Sequence, residues 1–310
     1  MPFKPEVNVN IFMGGKRGCG ALDKTAAERH GPRGTSVDPV ALSLAVSPCP
    51  NDTFVFHALI HGLVDGAPEI DLTFADVDVT NTAAERGEFD LVKVSYAALP
   101  WLLDKYELLH CGGALGRGCG PLVLTREPRA DLTGATVAVP GDRTTAYLLM
   151  RLWSEGKPPA KIEVVPFHQI MPGVADGTYD AGLVIHEARF TYQRYGLTAL
   201  ADLGEWWEAD TGLPIPLGAI LARKGTVDPA QATEWIRESL RKGWLDTAAS
   251  QEFILANAQE MEPAVVKQHI ELYVNEFTLE LGKDGLAAAD ALLGRAAAAG
   301  LTPAVPSLIS

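Results

Sequence analysis

The residues of this 310-residue chain best suited to chemistry stand at the ends of apolar runs. His186 closes Leu183-Val-Ile185, so a rigid strand would carry its imidazole to a polar edge. A neutral imidazole with an ordinary pKa of about 6.5 can take up a proton near neutral pH. A strand-end histidine that bonds a nearby carbonyl would look the same, and the residues alone leave both readings open. Thr144-Thr145-Ala146 opens a helix directly after the turn Pro140-Gly-Asp-Arg143. The free N–H groups and positive dipole end there suit a carboxylate or phosphate, although a simple Thr cap fits the pattern too. Lys93 and Ser95 alternate with Val92 and Val94 and so share one strand face. A lysine in such a strand snorkels to an edge or enters a polar cleft, and Ser95 favours the cleft.

Other chemistry-bearing residues compete less well. Arg117, in the loop Gly112-Gly-Ala-Leu-Gly-Arg117, is an anion-clamp candidate or a solvated loop arginine. That loop is neither a P-loop nor a G-x-G-x-x-G turn, because Pro121 and a strand follow it. Cys49 lies between two prolines with no histidine close in sequence, which disfavours a catalytic thiol. His57 and His61 share a helix face but lack the glutamate of H-E-x-x-H; His269 sits in a polar helical stretch. Trp206-Trp207 reads either as a lid or as a packed edge. No metal site is expected.

The elements that would position these residues repeat along the chain. Ala41–Val46 reads as a strand, Ser47-Pro-Cys-Pro-Asn-Asp52 as a turn, and Thr53–Ile60 as a helix capped by Asn51 or Asp52. About ninety residues on, Ala135–Val139, Pro140–Arg143 and Thr144–Trp153 repeat the design. Gly87-Glu-Phe-Asp90 and Gly177-Thr-Tyr-Asp180 each lead into a buried strand, ending at Ser95 and His186 respectively. Two matches in the same order argue for two similarly built α/β lobes. Residues 42–126 and 218–310 are expected to form one lobe and 127–217 the other, joined through Pro121–Arg126 and Pro216–Arg223. The helices predicted over 232–245 and 285–299 should pack back on the first lobe. Ligands of open α/β sheets bind beyond the carboxyl ends of strands, which collects Asn51, Ser95, Thr144, Thr145 and His186 around one cleft.

Composition narrows the function classes. With 26 Lys plus Arg against 39 Asp plus Glu, the net charge of −13 repels a phosphate backbone, so nucleic acid is excluded as a partner. No apolar run approaches the roughly 18 residues of a spanning helix, so no membrane partner is expected. The four cysteines form no C-x-x-C pair and suit a reducing cytoplasm, although they would also permit two disulfides. Residues 1–41 are rich in Gly and basic side chains, have no apolar core, and read as a loose extension rather than a secretory signal.

Several motifs resemble those of the 1,4-dihydroxy-6-naphthoate synthases. They are Ser47-Pro-Cys-Pro-Asn-Asp-Thr-Phe54, Lys93-Val-Ser-Tyr-Ala-Ala98, Gly112–Arg117, Thr144-Thr-Ala-Tyr147 and Ile185-His-Glu-Ala-Arg-Phe-Thr-Tyr192. Leu213–Ile220 and Tyr273-Val-Asn-Glu276 match as well, and the likeness runs from about residue 42 to near the end. The resemblance implies a two-lobed fold like type II periplasmic binding proteins, with the ligand cleft between the lobes, used as a cytoplasmic enzyme. It implies a lyase of the futalosine route to menaquinone, cleaving cyclic dehypoxanthinylfutalosine to 1,4-dihydroxy-6-naphthoate and dihydroxyacetone. No metal or organic cofactor is implied, and the partner is a small carboxylate substrate of a monomer or homodimer. His186 matches the family's proposed base; Ser95, Thr145 and their neighbours, Ala146 among them, match its ligand-contacting positions. A solute-binding protein for a small carboxylate and a chorismate dehydratase of the same pathway remain as alternatives.

Overall fold

The computed structural model describes residues 9–12, 41–258 and 262–309. In the middle of each sheet, near-continuous apolar runs become strands buried on both faces, as sheets covered by helices require. The first sheet is built from β1 (Val9–Phe12), β2 (Leu42–Val46), β3 (Ile70–Ala75), β4 (Leu91–Ser95) and β5 (Tyr106–Gly116). The second holds β6 (Leu122–Thr125), β7 (Thr136–Val139), β8 (Lys161–Val164), β9 (Ala181–Val184) and β10 (Thr198–Asp202). β11 (Ile215–Arg223) then returns to the first. The orders are β1-β3-β2-β4-β11-β5 and β10-β6-β9-β7-β8. In the first sheet β11 runs antiparallel between β4 and β5; in the second, β6 runs antiparallel to β9.

Helices α1 (Pro50–Ile60), α2 (Val77–Arg86), α3 (Thr145–Trp153) and α4 (Phe167–Ala175) follow strands as crossovers. The short α5 (Ala188–Thr191) comes after β9, and α6 (Leu203–Thr211) precedes β11. The C-terminal set comprises α7 (Pro229–Leu245), α8 (Gln251–Asn257), α9 (Pro263–Tyr273), α10 (Glu276–Leu279) and α11 (Gly282–Ala298). α1 is buried along its whole length, because α7, α8 and α9 cover the side that the sheet does not. Among the described residues, no helix is long and apolar enough to cross a membrane.

Three expectations change. Val9–Phe12 pairs in parallel with β3, so the first 41 residues are not wholly a loose extension. The apolar runs at the two lobe boundaries could join either sheet, and pairing decides. β6 belongs to the second sheet although it precedes residue 127, and β11 joins the first from Ile215, ahead of residue 218. Finally, α1 starts at Pro50 with Cys49 at its cap position, so neither Asn51 nor Asp52 caps it. Pro50 needs no N–H partner in the first turn, and Asp52 reaches back to the Ser47 amide (3.1 Å) and hydroxyl (2.6 Å) instead.

The internal repeat has a shared physical purpose. Gly87 and Gly177 take left-handed conformations (φ 73° and 85°) just past the ends of α2 and α4. Asp90 then accepts from the Ser43 amide at 3.0 Å, and Asp180 from the Thr136 amide at 2.8 Å. Each aspartate ties the start of the neighbouring strand, β2 or β7, to the strand it precedes. Where the chain enters the second sheet, the Gly120 and Gly204 backbones meet so closely that a Cβ on Gly120 would overlap the Gly204 nitrogen and Cα. Both sides of that contact are main chain, so neither can yield. Gly120→Ala is expected to destabilise the fold by about 3 kcal/mol, the upper end for overpacking, read as a lowered urea midpoint at unchanged slope.

Candidate functional site

β9 delivers His186 one residue beyond Ile185, and there the backbone turns left-handed at φ 54°. Among the described residues it is the single non-glycine with positive φ. Such a conformation costs roughly 1–2 kcal/mol and is held only where the surroundings over-determine it. The ring sits half-buried at the cleft wall, with the Phe167 ring edge-on at 5.8 Å and the His269 ring stacked at 6.3 Å. Burial, reinforced by the nearby Lys93 charge and opposed by Asp52, pushes its pKa down to about 4. His186 is therefore neutral at neutral pH.

Beneath it, Cys49 Sγ lies 3.4 Å from His186 Nδ1. Burial, then the charges of Glu187 and Asp52, raise the thiol well above its ordinary pKa, so it stays protonated and is a poor nucleophile. The lack of a nearby histidine in sequence thus hid a direct contact. Cys111 and Cys119 are likewise buried free thiols, both pushed up to about 12 by burial.

His269 changes most from its sequence reading. It is 1% exposed, on a face of α9 shared with Val265, Val266 and Tyr273, and its Nε2 lies 3.0 Å from Asn51 Oδ1. The signal was the i, i+3, i+4 spacing of those four residues, masked by the charged residues of the opposite face. Burial, then the neighbouring His186 and Lys93, hold its pKa well below the ordinary value.

Asn51 and Lys93 line the cleft, but both are engaged within the protein. The Asn51 amide nitrogen donates to Asp52 Oδ1 at 2.9 Å, and the Lys93 ammonium forms an ion pair with the same oxygen. Lys93 therefore reaches the cleft, as its strand position and Ser95 suggested, with its charge already paired to Asp52. Asp52, fully buried and gathering Ser47, Asn51 and Lys93, is the residue that the capping interpretation misplaced. Ser95 also lines the cleft; its amide donates to Asn81 Oδ1 at 2.8 Å, and its hydroxyl accepts from Asn81 Nδ2 at 3.2 Å.

The opposite wall is the N-terminus of α3. Thr144 Oγ caps the helix by accepting from the Tyr147 amide at 3.2 Å. Thr145 Oγ donates to the Leu217 carbonyl at 2.8 Å and accepts from the Ala97 amide at 3.2 Å, so its hydroxyl is a bolt between the two lobes. What the helix start offers a ligand is main chain, the Thr145 and Ala146 amides at its positive end. Arg143, just before α3, reinforces the closure by pairing with Glu85 and covering the Trp101 ring at 4.5 Å.

Other candidates fall outside the cleft. Arg117 donates to the Gly212 carbonyl at 3.0 Å, beside Glu208. Trp207 is fully buried, with Nε1 bonded to the Pro214 carbonyl at 2.9 Å; it is a packed residue and not a lid. His57 and His61 pack on each other and on Phe253.

Together these walls line one partly open cleft between the lobes. A family model described as menaquinone biosynthesis matches residues 42–298. The chain belongs to that family. Within the menaquinone-biosynthesis family it is similar to a protein of Streptomyces coelicolor named 1,4-dihydroxy-6-naphthoate synthase. The two are 63% identical over 269 residues, 85% of this chain and 95% of that one. A solved structure from Archaeoglobus fulgidus shares 32% identity at a TM-score of 0.80, covering 84% of this chain and 98% of that one. The alkanesulfonate-binding protein SsuA of Xanthomonas axonopodis is only 16% identical, at a TM-score of 0.66, with coverage of 86% and 96%. That likeness shows the fold alone, the two-lobed periplasmic-binding-protein architecture, which this member of the menaquinone-biosynthesis family shares.

Proposed function

We propose that the protein is a lyase that cleaves cyclic dehypoxanthinylfutalosine to 1,4-dihydroxy-6-naphthoate and dihydroxyacetone, with His186 as general base. The observation that carries this is a neutral imidazole, held on a strained backbone, across the cleft from the N-terminus of α3. The substrate offers an aryl carboxylate, a carbonyl and a polyol, and each finds a matching group. The Thr145 and Ala146 amides suit the carboxylate better than Lys93, whose charge Asp52 already balances. Ser95 positions the oxygenated part, with Asn51 held beside it. Thr144 acts through the cap that keeps the α3 amides aimed at the cleft. His186 removes a proton to start an elimination or retro-aldol-like cleavage, and gain of a second aromatic ring drives product formation. The naming of the Streptomyces relative and the motifs around Asn51 and His186 support this over a chorismate dehydratase.

The test is mass spectrometry of the purified protein incubated with cyclic dehypoxanthinylfutalosine. The expected result is the naphthoate together with dihydroxyacetone in equal amounts. Recovery of the compound bound but unchanged would instead indicate a solute-binding protein, and turnover of chorismate alone a dehydratase.

A further inference from the structure

The groups behind His186 have the makings of a metal site. A carboxylate only accepts, so the Asn51 amide that bonds Asp52 Oδ1 at 2.9 Å must present its NH₂ there and its oxygen to His269. His269 Nε2 then carries the ring proton and Nδ1 the lone pair. That Nδ1 is fully buried, has no hydrogen-bond partner among the described residues, and lies 3.9 Å from Glu187 Oε2. A histidine whose tautomer is fixed by one amide, with its other nitrogen aimed at an acidic oxygen, is arranged as metal-ligating histidines are.

Next to it, ligand atoms of Cys49, His186 and Glu187 all lie within 4.8 Å of one another. A tetrahedral zinc with Zn–S of about 2.3 Å and Zn–N of about 2.0 Å separates its sulfur and nitrogen by about 3.5 Å. Cys49 Sγ and His186 Nδ1 stand 3.4 Å apart. Sulfur, nitrogen and oxygen donors in one set suit Zn²⁺ or Co²⁺ and not Mg²⁺ or Ca²⁺. The His186 and His269 rings are parallel within 14° at 6.3 Å, so both cannot meet one ion in plane without a turn of one ring.

We infer that Cys49, His186 and Glu187 form a site for a thiophilic divalent transition metal, with His269 Nδ1 the nearest further donor; that its occupancy inhibits the enzyme rests on the role proposed for His186. Binding replaces the Cys49 S–H bond with an S–metal bond and releases that proton to solvent. The ion takes the His186 Nδ1 lone pair and ties the ring to the wall, so the imidazole no longer serves the cleft.

Co²⁺ alone is the probe, titrated into the full chain after removal of adventitious metal with a chelator. The expected result is a thiolate-to-cobalt charge-transfer band that saturates at one equivalent and is abolished by Zn²⁺. A variant keeping Cys49 alone (Cys19→Ser, Cys111→Ser, Cys119→Ser) should retain the band, and Cys49→Ser should lose it. Glu187→Gln, which leaves the thiol in place, should bind Co²⁺ at least tenfold more weakly. Absence of the band, its survival in Cys49→Ser, or an unchanged affinity in Glu187→Gln would overturn the inference. Should Cys49→Ser fail to fold, the other two variants decide. The spectrum reads metal binding directly and does not depend on the proposed reaction.

Discussion

Replacing His186 with Ala is expected to lower turnover of cyclic dehypoxanthinylfutalosine by roughly 10²–10⁴-fold, the usual contribution of one positioned base, with substrate affinity largely retained. The reason for retained affinity is that the proposed anion donors, the Thr145 and Ala146 amides, belong to α3, on the other wall. His186→Asn is the sharper variant, since asparagine tolerates the left-handed backbone at φ 54° and cannot act as a base. Single-turnover product formation and ligand binding, measured on both variants, separate the two effects. Equal turnover of parent and variants would remove the base assignment.

The same residue sets the pH profile. As the proposed base the ring acts in its neutral form, and its pKa is down at about 4, so kcat/KM should stay flat from neutral pH to about 5 and fall only near 4. An acid limb centred at about 6.5 would mean a ring with ordinary hydration. Folding stability moves in the same direction. His57, His186 and His269 all have folded pKa values below the unfolded value of 6.5, so the unfolded chain binds more protons below that pH. Their contribution is complete above about pH 6.5 and is lost as pH falls toward 4, so rates there must be referred to the folded fraction.

The second large effect concerns Lys93. Its side chain is only 9% exposed and Asp52 is fully buried, so Lys93→Met would leave a carboxylate charge in the core without its counter-ion. Breaking a buried pair from one side typically costs about 3–5 kcal/mol, and that loss is expected in urea unfolding. The remaining donors to Asp52, from Ser47 and Asn51, soften the loss without supplying a charge. Adding Asp52→Asn should recover part of the stability, because it removes the uncompensated charge. A Lys93→Met protein as stable as the parent would show that the ion pair is a bystander.

Much of this site was legible in the chain. The repeated Gly-x-aromatic-Asp pattern located two equivalent helix stops and strand starts, because left-handed glycine and a strand-tying carboxylate are local requirements. His186, Ser95, Thr144, Thr145 and Ala146 could be placed at strand ends and a helix start for the same reason. The missed residues were those whose role depends on contacts distant in sequence. Asp52 looked like a cap, His269 like part of a polar helical stretch and Cys49 like an isolated turn thiol. Each meets its partner 41, 218 or 137 residues away.

The amino-acid order by itself determined that two α/β lobes form and that a strand end and a helix start carry an imidazole and uncapped main-chain amides, since periodicity, turns and caps act over a few neighbouring residues. Only the tertiary structure decided which sheet receives β6 and β11, whether Lys93 is free or neutralised, and which groups surround the His186 ring. Those outcomes follow from competition among distant partners and from desolvation, and both exist only once the lobes have packed.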